Sequence, residues 1–135
     1  MSDRPEPSWI RGRQVIILQK RTIEKHGGSF GIRDKGLLDS ALSRPLNYFS
    51  YGENNIFLLA AAYAEAIARN HAFVDGNKRA AYITSGLFLY QNGYRLKITS
   101  PAAQITLFEN LAKGVISRAD LAEFYRQNSV KIEKP

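Results

Sequence analysis

The stretch His71-Ala72-Phe73-Val74-Asp75-Gly76-Asn77-Lys78-Arg79 is the most informative part of this sequence. Its nine positions hold an imidazole, a carboxylate, a flexible glycine, a carboxamide and two adjacent cations. His71 is one of only two histidines in the chain. Asp75 follows four residues later, a spacing that places two side chains on the same side of a helical turn. Lys78 and Arg79 suit a polyphosphate better than an apolar ligand. The stretch therefore collects the groups that phosphate chemistry needs.

Helices are predicted on both sides of this stretch. Asn54 or Asn55 can cap an apolar helix that runs to about Arg69, and residues 70–76 then form a loop. A further helix runs from about Gly76 to Gln91, where Asn92-Gly93 ends it. The loop therefore faces a helix N-terminus, whose unpaired N–H groups and dipole attract anions. Gly76 allows the backbone to fold tightly over a phosphate.

The remaining segments also favour helices, and each has a start or stop signal. Pro45 is predicted to stop the second helix. Residues Tyr94 to Ile98 could form a strand beside the loop near Phe30. The further helices run from Trp9 to about Lys25, from an Asp34 cap to about Ser43, from Ser100-Pro101 to about Lys113, and from a Ser117/Asp120 capping box to about Gln127. We predict a compact, all-α bundle of six helices with the motif loop between two central helices.

The length and composition indicate one globular domain. At 135 residues with 44% hydrophobic residues, the chain can bury a core. We expect one domain over residues 9–127, with flexible ends at 1–8 and 128–135. The absence of cysteine excludes a disulfide scaffold and a thiolate metal site. With no secretory signal and no apolar run long enough to span a bilayer, a cytoplasmic location without membrane contact is expected.

The net charge of +7 indicates an acidic partner. Nucleic acid, a nucleotide and an acidic protein all fit this charge. The cations are scattered and form no arginine-rich arm or nucleic-acid-binding signature, so direct nucleic-acid binding is not expected. A nucleotide together with an acidic protein partner is the favoured interpretation.

The motif resembles the Fic/Doc signature His-x-Phe-x-[Asp/Glu]-Gly-Asn-[Gly/Lys]-Arg at every position. Residues 27–34, Gly36-Leu37-Leu38 and the segment from Ala41 to Pro45 are similar to the N-terminal half of the death-on-curing (Doc) branch. Phe88-Leu89 and Asn92-Gly93-Tyr94 are similar to the segment that follows the motif there. The resemblance covers roughly residues 10–127 and also implies an all-α Fic/Doc-type bundle.

Two positions depart from the wider Fic pattern. Fic enzymes that transfer AMP usually carry a second glycine where this chain has Lys78, and an arginine where it has Tyr82. A glycine allows the backbone to approach nucleotide phosphates closely, whereas a lysine fills that space and adds charge. Both departures are typical of the Doc branch. The resemblance therefore favours phosphoryl transfer over AMP transfer, which stays as the alternative.

The resemblance implies a Doc-type toxin that transfers the γ-phosphoryl group of ATP to a threonine of elongation factor Tu and so stops translation. His71 would be the general base, because imidazole can accept a proton near neutral pH. Asp75 would bind Mg²⁺, which typically takes one or two carboxylates plus phosphate oxygens. The phosphates would contact the turn after Asp75 and the cation before the motif: Gly76, Asn77, Lys78, Arg79 and Arg69.

Each role has a plainer alternative. His71 could cap the preceding helix, Asp75 could cap the next one, and Asn77 could be a turn residue. Lys78 and Arg79 could belong to a solvated basic surface. Phe73 is expected to anchor the loop in the core. A non-catalytic toxin or binding module therefore remains an alternative to the enzyme.

The expected partners also follow from the resemblance. No inhibitory pattern of the form [Ser/Thr]-x-x-x-Glu-[Gly/Asn] occurs in the chain, which implies restraint in trans by a small antitoxin. A basic toxin suits an acidic, disordered antitoxin segment. Residues Ser29 to Asp34 are expected to guide the target protein. His26 receives no role from the sequence.

Overall fold

The computed structural model describes residues 5–97 and 100–135. Within these residues the chain forms six α-helices and two short strands. In chain order these are α1 (Gly12–His26), α2 (Lys35–Ser50), α3 (Ile56–Asn70), α4 (Asn77–Gln91), β1 (Tyr94–Leu96), α5 (Pro101–Lys113), α6 (Arg118–Gln127) and β2 (Ser129–Lys131). The predicted all-α bundle of six helices is confirmed.

Helix α3 is the centre of the bundle. Its residues from Leu59 to Ala68 are all buried, and the helix packs against α2, α4, α5 and α6. A helix that is apolar on nearly every side must be enclosed in this way, and its alanines permit close approach of the neighbours. Asn55 begins it, because its side chain accepts the N–H groups of Phe57 and Leu58 at 2.9 and 3.2 Å. In the described residues, no helix combines the length and apolar character required to cross a bilayer.

The predicted helix starts agree with the structure at three further positions. The Asp34 side chain accepts the N–H of Leu37 at 3.0 Å, and the Ser100 hydroxyl accepts that of Ala103 at 3.2 Å. Ser117 and Asp120 form the predicted reciprocal capping box at the start of α6. These starts could be predicted because each depends on local chemistry only.

Helix α2 corrects the sequence prediction. It does not stop before Pro45 but continues through it to Ser50. A proline inside a helix removes one hydrogen bond and costs about 3 kcal/mol. Packing beyond it offsets that cost, since the Trp9 and Phe49 rings meet edge to face at 5.5 Å and the guanidinium of Arg118 lies 4.3 Å from the Tyr48 ring centre.

The strand prediction was right about Tyr94 but wrong about its partner. β1 pairs antiparallel with β2, placing Tyr94 opposite Lys131 and Leu96 opposite Ser129. Residues 129–131, assigned from sequence to a flexible end, are therefore hydrogen-bonded in a strand. The predicted strand continued to Ile98, which lies outside the described residues. The loop near Phe30 instead approaches the motif, where Ile32 forms an isolated antiparallel bridge with Phe73.

Candidate active site

Two loops meet at the end of the bundle where α4 begins. We call residues 71–76 the motif loop and residues 27–34 the glycine loop. The backbone N–H groups of Arg33 and Asp34 both donate to the carbonyl of Ala72, at 2.7 and 3.1 Å. The N–H of Val74 donates to the carbonyl of Gly31 at 3.0 Å. The two loops thus form one hydrogen-bonded unit, although about 40 residues separate them in sequence.

The motif loop is fixed to the core from below. Ala72 and Phe73 are each only 1% exposed, which confirms Phe73 as the predicted anchor. The Asn77 carboxamide accepts the N–H of Phe73 and donates to its carbonyl, both at 3.1 Å. Asn77 therefore closes the loop on itself, which agrees with its alternative assignment as a turn residue.

His71 ends α3 in an unusual backbone conformation. Its φ of 52° makes it the one non-glycine residue with positive φ in the described part of the chain. Its carbonyl accepts a hydrogen bond from Arg33 Nε at 2.8 Å, while its exposed imidazole lines a cavity. The residue is thus both the C-cap of the helix and a candidate base. A left-handed conformation costs energy for any residue with a Cβ, and such strain is typical of functional sites.

Asp75 is held by the glycine loop. Its Oδ2 accepts the backbone N–H of Ser29 at 2.7 Å, and its carbonyl oxygen accepts a hydrogen bond from Gln19 Nε2 at 3.0 Å. The alternative assignment of Asp75 as the cap of α4 is wrong. The N-cap position belongs to Gly76, which has a φ of 77° and offers no side-chain cap.

Helix α4 begins directly beyond Gly76, with Lys78 and Arg79 exposed in its first turn. No acidic side chain occupies that turn. The first N–H groups of a helix lack intrahelical partners, and its dipole adds positive potential there. This end of α4 therefore combines backbone donors and two side-chain cations, a combination suited to an anionic ligand.

A cavity of about 720 Å³ connects these groups to an apolar surface between α4 and α5. The Tyr82 ring meets Phe108 edge to face at 5.5 Å in that surface. The cavity has a charged end beside the start of α4 and is mostly aromatic and aliphatic between α4 and α5, where Gln104 and Glu109 are the polar exceptions. This combination suits a nucleotide. The residues at the charged end are Lys25, His26, His71, Asp75, Gly76, Asn77, Lys78 and Arg79. The other lining residues are Val74, Tyr82, Ile83, Pro101, Gln104, Ile105, Phe108 and Glu109.

Lys25 and His26 are cavity residues that sequence reasoning missed. They end α1, about 50 positions before the motif cations, and only the fold brings them to the cavity. Desolvation and the positive charges of Arg79 and Lys25 lower the pKa of His26 below its ordinary value. The one signal for them in the sequence was that His26 is, besides His71, one of only two histidines in the chain.

Arg69 is the predicted phosphate ligand that does not reach this cavity. Its Nη1 lies 3.2 Å from Glu65 Oε2, and its Nε donates to the Leu111 carbonyl at 3.0 Å. Arg118 completes the cluster, with Nη1 3.0 Å from the other oxygen of Glu65. These contacts tie α3 to α5 and α6. The structure therefore gives Arg69 a role in packing the bundle.

The Asp75 carboxylate suits a magnesium ion whose other ligands come mostly from a bound phosphate compound. Among the described residues, no three His, Cys, Asp or Glu side chains are grouped so that they could hold a metal by themselves. Mg²⁺ commonly binds through one or two carboxylates together with substrate phosphates. An exposed carboxylate beside a cationic helix start meets that requirement.

The chain is similar to known proteins over most of its length. The family model described as Fic/DOC family matches residues 9–89. The chain is similar to "Toxin Doc" of Mycolicibacterium smegmatis (strain ATCC 700084 / mc(2)155), with 45% identity over 73 residues, or 52% of this chain and 55% of that protein. It is also similar to "Protein kinase doc" of Escherichia phage P1, with 32% identity over 119 residues, or 87% of this chain and 93% of that protein. The match thus spans about half of the first relative and nearly all of the second.

Proposed function

The chain belongs to the Fic/Doc family, and on that premise we propose that it is a Doc-type toxin that transfers the γ-phosphoryl group of ATP to a protein hydroxyl. The observation that carries the proposal is the convergence of His71, Asp75, Lys78 and Arg79 on one end of the 720 Å³ cavity. The similarity to a phage protein named as a protein kinase, over 87% of this chain, supports the same reaction.

In the proposed reaction, the hydroxyl oxygen of a threonine or serine attacks the γ-phosphorus of ATP. The bond from that phosphorus to the β–γ bridging oxygen breaks, ADP leaves, and the hydroxyl proton passes to the imidazole of His71. Lys78, Arg79 and the free N–H groups of α4 stabilise charge on the phosphates. Mg²⁺, when bound to Asp75, would neutralise charge on the phosphate oxygens.

Two residues favour phosphoryl transfer over AMP transfer. Lys78 is exposed at the start of α4, where a glycine would leave room for closer approach of the phosphates. Tyr82 packs against Phe108 instead of contributing a third cation to this end of the cavity. A bound phosphate chain would therefore meet one lysine–arginine pair on α4, which supports the proposed contact with the terminal phosphoryl group.

The proposed protein target is elongation factor Tu, whose modification would stop translation in the cytoplasm. The proposed restraint is a small antitoxin acting in trans. The net charge of +7 supports an acidic antitoxin segment, because opposite charges accelerate and orient association. The glycine loop, hydrogen-bonded along the motif loop, is the proposed guide for the target segment.

The deciding experiment incubates the protein with elongation factor Tu, Mg²⁺ and ATP that is labelled at either the γ- or the α-phosphate. We expect label on the target from the γ-position only, and none with the Asp75→Asn variant. Label from the α-position would establish AMP transfer and contradict the inference from Lys78 and Tyr82. No transfer from either position would contradict this target, and labelling of a ribosome-containing cell extract would then show whether another protein accepts the group.

A further inference from the structure

Gln19 lies beneath the junction of the two loops. It is a residue of α1 with 0% exposure, and its Nε2 donates to the Asp75 carbonyl at 3.0 Å and approaches the Ser29 carbonyl at 3.5 Å. Ser29 in turn donates its N–H to the Asp75 carboxylate at 2.7 Å. One buried carboxamide thus contacts the backbone of Asp75 and also that of Ser29, whose N–H holds the Asp75 carboxylate.

The orientation of this carboxamide follows from its partners. Both neighbours are carbonyl oxygens, so the nitrogen must face them. The other end, Oε1, is buried and has no hydrogen-bond partner among the described residues. An unpaired buried acceptor costs about 1–3 kcal/mol. A core position occupied for packing alone would be served better by an apolar side chain of the same volume.

The neighbours of Gln19 on α1 contribute packing only. A Cβ on Gly28 would stand 3.2 Å from Ile23 Cδ1, and a Cβ on Gly76 would stand 3.4 Å from the same atom. Ile23 therefore fills the space between the two loops. Thr22 is 2% exposed, and its hydroxyl has no partner among the described residues. Of these three side chains, Gln19 is the one that donates hydrogen bonds to the loops.

We propose that Gln19 is a positioning residue, which holds the Asp75 and Ser29 backbones together and thereby fixes the Asp75 carboxylate for the phosphate and metal of the substrate. The inference rests on the proposed function only for the identity of the substrate, a phosphate compound with its metal ion. Groups behind a metal ligand typically change metal affinity or activity about 10- to 100-fold when they are replaced. Without Gln19 the Asp75 carboxylate is still present, but its position is no longer fixed.

The test compares Gln19→Met with Thr22→Val. Methionine keeps the approximate volume and removes the donor, whereas valine removes an unpaired hydroxyl one turn away on the same helix. We expect Gln19→Met to raise the Mg²⁺ concentration for half-maximal phosphoryl transfer about tenfold and to lower kcat. Thr22→Val should leave both unchanged. If the role of Gln19 is purely structural, Gln19→Met will lower Tm without changing the Mg²⁺ requirement of the folded fraction. That result would overturn the proposal.

Amide hydrogen exchange supplies a measurement that does not depend on activity. Without Gln19 the Ser29 amide, which donates to Asp75, should exchange at least tenfold faster, while amides in the middle of α3 keep their rates. Unchanged exchange at Ser29 would contradict the inference even if the enzyme transfers phosphate. If wild-type protein transfers no phosphate but Ser29 exchange responds, the proposed function fails and the positioning role stands. Gln19→Asn, which keeps a carboxamide but shortens its reach, should reproduce both effects if Gln19→Met does not fold.

Discussion

Gly28 lies so close to Asp75 that a Cβ on Gly28 would stand 3.1 Å from Asp75 Cβ and 3.2 Å from Asp75 Oδ2. Both distances are shorter than ordinary van der Waals contacts, so a methyl group on Gly28 would push the Asp75 side chain away by a few tenths of an ångström. The glycine loop therefore constrains Asp75 twice, by the hydrogen bond from Ser29 and by this close approach. The position of the candidate metal ligand depends on a residue 47 positions earlier in the chain.

Gly28→Ala is predicted to impair the site, with Gly27→Ala as its control. Both glycines have positive φ, 103° and 86°, so both substitutions should cost about 1–3 kcal/mol of stability. Nothing lies within 4 Å of a Cβ on Gly27, whereas a Cβ on Gly28 displaces Asp75. We therefore expect phosphoryl transfer to fall at least tenfold more in Gly28→Ala than in Gly27→Ala, measured per folded molecule. Equal activities would show that the position of Asp75 does not matter.

His71→Gly separates the imidazole from the backbone strain. Glycine adopts the φ of 52° without cost, whereas His71→Ala keeps a Cβ in the left-handed region. We expect both variants to lose toxicity after induced expression, because both lack the proposed base. The glycine variant should be the more stable of the two by about 1 kcal/mol in urea unfolding. Undiminished killing by His71→Gly would favour the non-catalytic toxin over the enzyme.

Asn77→Ala should destabilise the protein, whereas Lys78→Ala should not. Asn77 makes two hydrogen bonds to the backbone of the buried residue Phe73, and its loss leaves that N–H and carbonyl unpaired. We expect a decrease of about 2 kcal/mol in the free energy of unfolding. Lys78 is exposed, so its replacement should change stability by less than about 0.5 kcal/mol while reducing ATP binding. Equal stability of the two variants in denaturant titrations would contradict the structural role of Asn77.

His26 should report on the charge of the cavity. Its pKa is lowered from 6.5 by desolvation, Arg79 and Lys25, so Arg79→Gln should raise it. Inorganic triphosphate bound at the cations should also raise the pKa of His26, because an anion favours imidazolium. Between the lowered pKa of the folded protein and 6.5, the unfolded chain binds more protons, so acidification through this window should reduce stability. NMR titration of His26 provides the measurement, and an unchanged pKa in Arg79→Gln would contradict the proximity.

The sequence predicted those features that depend on local chemistry. Asn55, Asp34, Ser100 and the Ser117/Asp120 box begin helices because their side chains reach backbone N–H groups within three residues. The motif loop likewise follows from a stretch of nine residues. These predictions required no knowledge of which helices pack together.

The errors occurred where distant packing outweighs local preference. The contacts of Trp9 with Phe49 and of Arg118 with Tyr48 hold α2 beyond Pro45, yet both join residues far apart in the chain. The partner of β1 lies 35 residues later, at β2. Arg69 adjoins the motif in sequence but turns to Glu65 and the Leu111 carbonyl. Proximity along the chain was no guide in these cases.

The short sheet and the start of the chain meet at one turn. Ser8 donates its N–H to Asn92 Oδ1 at 2.8 Å, and Ile132 donates its N–H to the Gly93 carbonyl at 2.9 Å. Residues 8 and 132 are thus neighbours in space, at the turn that follows α4. A short linker could join them, and the chain could be reopened elsewhere as a circular permutant. Cutting the chain between α5 and α6, at the exposed residues Gly114 and Val115, would leave both cavity loops intact. Only the order of the helices along the chain would change.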